Sequence, residues 1–300
     1  RPMKSIQSPK ITILVAWVIV LLTSLLPKII LQEVFKQTVS LDTQSIMSLS
    51  VIAVGFLVTL IWQPLRGLRP FLILLAVLVG SQWLVYERID ELPFYRTWLR
   101  NPSFKVNMLA EQSLNLMVAL MVIAALLLMR KKFSDFYLVK GDIAAPAERV
   151  RWMGVDQGTR WNKFGLILTI CISLGTLTFL VIAGFPQWTI LSQESLILSR
   201  LAKLVEALAN YSWGIIKDAS PFLPAILLAA ALNAFYEEVT YKAAFLSVLE
   251  SPAGARQAVY MVAVSFGIWH FYGVPYGVIG VLLATFLGWI LAKSMQETRG

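Results

Sequence analysis

Histidine occurs once in these 300 residues, as His270, and cysteine once, as Cys171. One thiol allows neither a disulfide framework nor a cysteine-based zinc site. Cys171 lies inside an apolar run and reads as a small buried hydrophobe. No Ser-His or Cys-His pairing is evident around the single imidazole. A catalytic zinc needs three protein ligands, and His270 is the only strong nitrogen donor, so no cofactor is expected and zinc is the one metal left to weigh. Charge is scarce as well, at 14% of residues against 58% hydrophobic, with a mean hydropathy of +0.71. That balance excludes an ordinary soluble domain. The net charge of +9 would suggest nucleic acid in a soluble protein. Here the Lys and Arg residues cluster between apolar runs, where they report topology, and no nucleic-acid partner is expected.

What the chain has is apolar length. An all-α integral membrane protein of about eight transmembrane helices is expected, over 11–30, 45–62, 71–86, 112–129, 164–184, 221–250, 257–272 and 276–293. The first run is too long for a signal peptide and lacks a small-residue cleavage site, so it reads as a retained anchor. With eight spans most Lys and Arg fall on the side of the N-terminus, which predicts a cytoplasmic N-terminus. Residues 1–163 read as N-terminal helices plus a basic loop, and 164–300 as a second membrane domain. The loop over 130–163 is basic and aromatic, either a segment lying on anionic lipid or a solvated linker. The rhythm of Leu191, Leu198, Leu201, Leu204, Val205 and Leu208 predicts an interfacial amphipathic helix within 187–217.

One stretch breaks the apolar rule. Asn233-Ala-Phe-Tyr-Glu237-Glu238-Val-Thr-Tyr241-Lys242 places two carboxylates and an amine inside a predicted span. Each ionisable group costs about 2.5–3.5 kcal/mol at the bilayer centre on insertion scales, which marks the stretch as a candidate functional site. Glu238 and Lys242 are i and i+4 and can pair, while Asn233, Glu237 and Tyr241 form a second polar row about 100° away. The turn at 251–254 then separates two apolar helices. Glu237 to Glu250 is 13 residues, and Gln257 to His270 is also 13. In an antiparallel hairpin the carboxylate and the imidazole therefore sit at one depth, roughly 20 Å from the turn. Phe266 lies one turn before His270 on the same face.

Two carboxylates and one imidazole suggest hydrolysis by carboxylate-activated water, with His270 orienting that water or donating to a developing oxyanion. Two other readings stand beside it. The Glu238–Lys242 pair could serve only helix packing in a non-catalytic protein, or the three groups could relay protons in a transporter.

Glu-Glu-x-x-x-Lys at 237–242, followed by Phe-x-x-x-His at 266–270, resembles the two leading motifs of the CAAX prenyl protease and bacteriocin-processing family. Lysostaphin-resistance A-like and abortive-infection (Abi) proteins belong to it. The resemblance covers about 221–300 and implies a multi-pass intramembrane endopeptidase that is glutamate-dependent and needs no obligatory metal. By the same resemblance Glu237 activates water, Glu238 is its partner, His270 positions the water or polarises the scissile carbonyl, and Phe266 packs beside it. Lys242, Asn233 and Tyr241 are expected to support them. The implied partners are the lipid bilayer and a membrane-embedded or lipidated peptide, and the implied location is a bacterial cytoplasmic membrane. Non-catalytic immunity or scaffold proteins of the same fold, and a proton-coupled transporter, are the alternatives. Lys242 stands where the family has Arg, a point charge in place of a bidentate fork. The family also expects a further helix bearing His-x-x-x-Asn. Its absence before Gly300, with an opening Arg1-Pro2 that lacks Met, predicts a chain truncated at both ends, and inactive if that helix is absent from the protein altogether.

Overall fold

Proline, glycine and capping side chains cut the apolar runs into helices. The computed structural model describes residues 10–183, 220–273 and 275–300, with the backbone alone at 176–183. The helices are α1 (Lys10–Thr23), α2 (Leu26–Val34), α3 (Leu41–Ile61), α4 (Arg69–Leu84), α5 (Pro93–Leu99), α6 (Phe104–Leu128), α7 (Trp161–Ala183), α8 (Leu223–Glu237), α9 (Ala244–Ala253), α10 (Ala255–Trp269) and α11 (Val278–Thr298). No strand forms among the described residues. Two isolated bridges, Pro146–Arg160 and Val150–Val155, are the only β pairing there.

The starts follow ordinary end chemistry. Ser40 caps α3 by accepting the Thr43 N–H at 3.1 Å, with Asp42 in the first turn, which satisfies a free donor and favours the helix dipole. Pro70 and Pro93 open α4 and α5, where a missing N–H costs nothing. Gly254, at φ +87°, turns the chain directly from α9 into α10. α9 runs past the expected turn to Ala253 and includes Pro252, whose missing N–H removes one bond from its last turn.

Among the described residues five helices are long and apolar enough to cross a membrane: Leu41–Ile61, Gln63–Ile89, Phe104–Leu128, Ser220–Ala253 and Val278–Thr298. The expected eight are thus not all found among the described residues, for three local reasons. The first run is bent by 53° between Lys10–Thr23 and Leu26–Val34, and gives a sixth span only if the two pieces count as one. The run after Gly254 stops at Trp269 after 15 residues. The described side chains of α7 give only a shorter apolar helix, Trp161–Gly175. The amphipathic helix expected within 187–217 lies outside the described residues.

By packing, the chain forms two units, Arg1–Asp142 with Leu227–Gly300, and Ile143–Ile226. In the first, α4 is the most enclosed span: Phe71, Leu72, Leu74, Leu75 and Leu78 are all buried. It packs on α3, α6 and α9, and the Phe71 and Phe245 rings meet edge to face at 5.6 Å. In the second unit the loop is more than a bare solvated linker, because part of it packs on itself. Ala145, Ala147, Val150, Val155 and Trp161 are buried around the two bridges. Cys171 is exposed, which corrects the expectation of burial. Leu166, Ile167, Ile170 and Leu174 of the same helix are exposed too, so this apolar surface faces outward, as lipid-facing surfaces do.

The α10–α11 pair is the tightest contact in the first unit. A Cβ at Gly267 would overlap Thr285 Oγ1 and stand 2.7 Å from Val281 O, and one at Gly288 would stand 2.9 Å from Phe266 Cδ1. Small residues let the backbones approach this closely. Gly267→Val should destabilise the protein by roughly 1–3 kcal/mol through overpacking. Gly80→Ala, at a helical position with open space, should not. Thermal unfolding in detergent checks both.

Candidate functional site

Between α8 and α9 the helix opens into a π-turn over Glu238–Ala243, closed by Ala244 N–H to Val239 O. Single π-turns are rare and recur at functional sites. Thr240 supplies a local reason: its hydroxyl donates to the Tyr236 carbonyl at 2.6 Å. Such back-bonding competes with the helical ladder and distorts it.

The turn separates the two carboxylates. Glu237 ends α8, half-buried, and its Oε1 accepts the Asn233 amide at 2.9 Å. Glu238 opens the turn, and its Oε1 lies 2.9 Å from Lys242 Nζ. The lysine side chain is 0% exposed. Its ammonium makes the ion pair without hydrogen-bond alignment and sits 3.8 Å from the centre of the Phe266 ring. A buried cation is tolerable only with such compensation, here one carboxylate and one π face. Tyr241 leaves the row it was expected to share with Asn233 and Glu237. Its hydroxyl accepts from Gln82 at 2.8 Å and lies 3.1 Å from that of Tyr236. The extra residue in the turn changes the angular phase, so the i, i+4 row does not continue through it.

His270 is the C-cap of α10. Its backbone N–H bonds Gly267 O at 3.0 Å, a tightened last turn. That leaves the Phe266 carbonyl for the imidazole, whose Nδ1 lies 2.8 Å away. A carbonyl can only accept, so Nδ1 carries the hydrogen and Nε2 of the neutral ring presents a lone pair. In that form His270 can accept a hydrogen bond from water but cannot donate one to an oxyanion. The Phe266 and His270 rings are 4.4 Å apart. Glu238, Lys242, Phe266 and His270 thus form one chain of contacts across two helices. Gly254 lies 17 residues from Glu237 and 16 from His270, so both are about 25 Å along their helices from the turn.

The segment after His270 is fastened to the start of the chain. Tyr272 donates to Gln32 Oε1 and Tyr276 to Glu33 Oε1, both at 2.9 Å, and Trp17 of α1 donates to Gln257 of α10 at 3.0 Å. Sequence reasoning missed this latch. It also missed Gln82, although an amide inside a predicted span was the available signal. Among the described residues no three His, Cys, Asp or Glu side chains gather as a metal-holding group.

Residues 219–300 match the family described as Rce1-like, type II CAAX prenyl endopeptidase. The match covers both motifs, so residues 219–300 are similar to the CAAX proteases, a protease family, which supports the resemblance drawn from their residues. No curated protein and no solved structure matches the chain.

Removing Glu238 leaves the Lys242 charge buried, and since Glu238 itself is 36% exposed the cost falls below the roughly 3–5 kcal/mol of a fully buried pair. Glu238→Gln should therefore lower the unfolding midpoint in detergent clearly more than Glu237→Gln, which gives up a hydrogen bond from the neutral Asn233 amide.

Proposed function

We propose that this protein is an intramembrane endopeptidase that cleaves a membrane-embedded or lipidated peptide, with Glu237 as the base that activates water. The observation that carries the reading is the contact chain Glu238–Lys242–Phe266–His270. It joins both family motifs and assigns the carboxylates different work. Glu238 is committed to the buried lysine. Glu237 gives one oxygen to Asn233 and keeps further lone pairs for a water hydrogen.

In the proposed step, Glu237 takes a proton from water while the water oxygen attacks the scissile carbonyl carbon. The His270 Nε2 lone pair accepts the other water hydrogen and so fixes the attacking lone pair. The C–N bond then breaks as Glu237 returns its proton to the leaving amine. Asn233, Lys242 and Phe266 act by positioning.

Glu237→Gln keeps the shape and removes the base. Cleavage of prenylated and unprenylated reporter peptides in proteoliposomes should fall by about 10²–10⁴, the usual range for a general base, with the unfolding midpoint unchanged. Cleavage at the wild-type rate would sink the role of Glu237. Proton flux lost in the same variant, with no peptide cleaved by wild type, would favour the transporter instead.

A further inference from the structure

Behind the two motif helices lies a cavity of about 240 Å³ that the chemistry above does not use. Its polar wall includes Gln44, Ser48, Gln82, Tyr86, Tyr236 and Tyr241, and neither Glu237, Glu238, Lys242 nor His270 lines it. No lining residue is charged, so an ion bound there would lack a counter-charge. An apolar occupant fits no better. Gln44 is 7% exposed, and its Oε1 has no hydrogen-bond partner among the described residues. Covering it with hydrocarbon would leave a buried acceptor unsatisfied, at about 1–3 kcal/mol. The occupant indicated is small, neutral and able to donate hydrogen bonds.

Position adds a second argument. The wall begins at Thr23, the last residue of α1, and Leu41, the first of α3, so the cavity reaches the loop end of those helices. On the C-terminal side it is walled by Tyr236, Tyr241 and Trp269, the immediate predecessors of Glu237, Lys242 and His270. A step of one residue is about 100° round a helix, so the cavity flanks the motif residues along their own helices.

We propose that this cavity is a water site, with room for roughly eight molecules at the ~30 Å³ each of liquid water, and that it stores the water consumed by the hydrolytic step. Gln44 Oε1 takes one water hydrogen, and Gln82 with the tyrosine hydroxyls holds the opposite wall. The storage role rests on the endopeptidase reading; the water site does not.

Two measurements separate these claims. In a Cys171→Ser background, Ser48→Cys places a thiol on the cavity wall, while Ser50→Cys places one on the exposed side of α3, two residues away. Alkylation by iodoacetamide needs a hydrated thiolate, so Ser48→Cys in proteoliposomes should react at least about tenfold faster than Ser50→Cys. Equal or slower labelling overturns the water site. Gln44→Leu removes the unsatisfied acceptor and should lower kcat at least about fivefold with KM and the unfolding midpoint unchanged, the pattern of a loss confined to the transition state. An unchanged kcat overturns the storage role. If wild type cleaves no peptide, the endopeptidase reading and the storage role fall together, while the labelling ratio still decides whether the cavity holds water.

Discussion

A single ammonium with no exposed surface constrains the rest of this site. Lys242 sits inside the bundle, and an unpaired charge there carries a desolvation penalty of several kcal/mol. Glu238 at 2.9 Å and the face of Phe266 at 3.8 Å answer it. Each answer has a structural effect. Because Glu238 is held by the lysine, the neighbouring carboxylate keeps lone pairs for other work. Because Phe266 must lie flat to the ammonium, its own helix is pinned against the π-turn, and the imidazole one turn later is set beside that ring. The close approach of α11 at Gly267 and Gly288 keeps Phe266 from moving away.

The π-turn gives the two faces of one helix different chemistry. Charged groups and Asn233 lie toward the motif side, while Tyr236 and Tyr241 turn to Gln82 in a neutral network. A regular helix would have carried Tyr241 round with Glu237. The distortion keeps the Tyr241 hydroxyl with Gln82 and Tyr236 and out of the row of Asn233 and Glu237. Hydroxyl and amide groups that satisfy one another need no charge, which suits the interior of a span.

The place of the charged residues was more legible in the sequence than the architecture. Two carboxylates and a lysine in an apolar run stand out against the background, and a distance counted from a turn depends only on helical rise. Displacing that turn from 251–254 to Gly254 left the depth match intact, since it lengthened both arms almost equally. Span number was less legible, because hydropathy measures apolar length and not continuity. The 53° bend after Thr23 and the stop at Trp269 are local backbone events within apolar runs. Neither the fate of Tyr241 nor the latch of Tyr272 and Tyr276 could be read, since both depend on residues far away in the chain. Fold class followed directly from composition; the wall around Gln44 did not, because a lone Gln or Ser in a span carries no periodic signal.

The latch between Gln32, Glu33 and the two tyrosines also bears on how the protein is made. Its members are separated by 240 and 243 residues, and Trp17 finds Gln257 across 240 more. A chain inserted from its N-terminus must hold α1 and α2, with these polar groups unmatched, until the residues of α10 and the segment after it have been made. The segment beside His270 can dock on α1 and α2 only after the intervening chain has been made. Until it does, the motif residues exist but the imidazole is not fastened in place, so an unfinished chain is kept from having an assembled site.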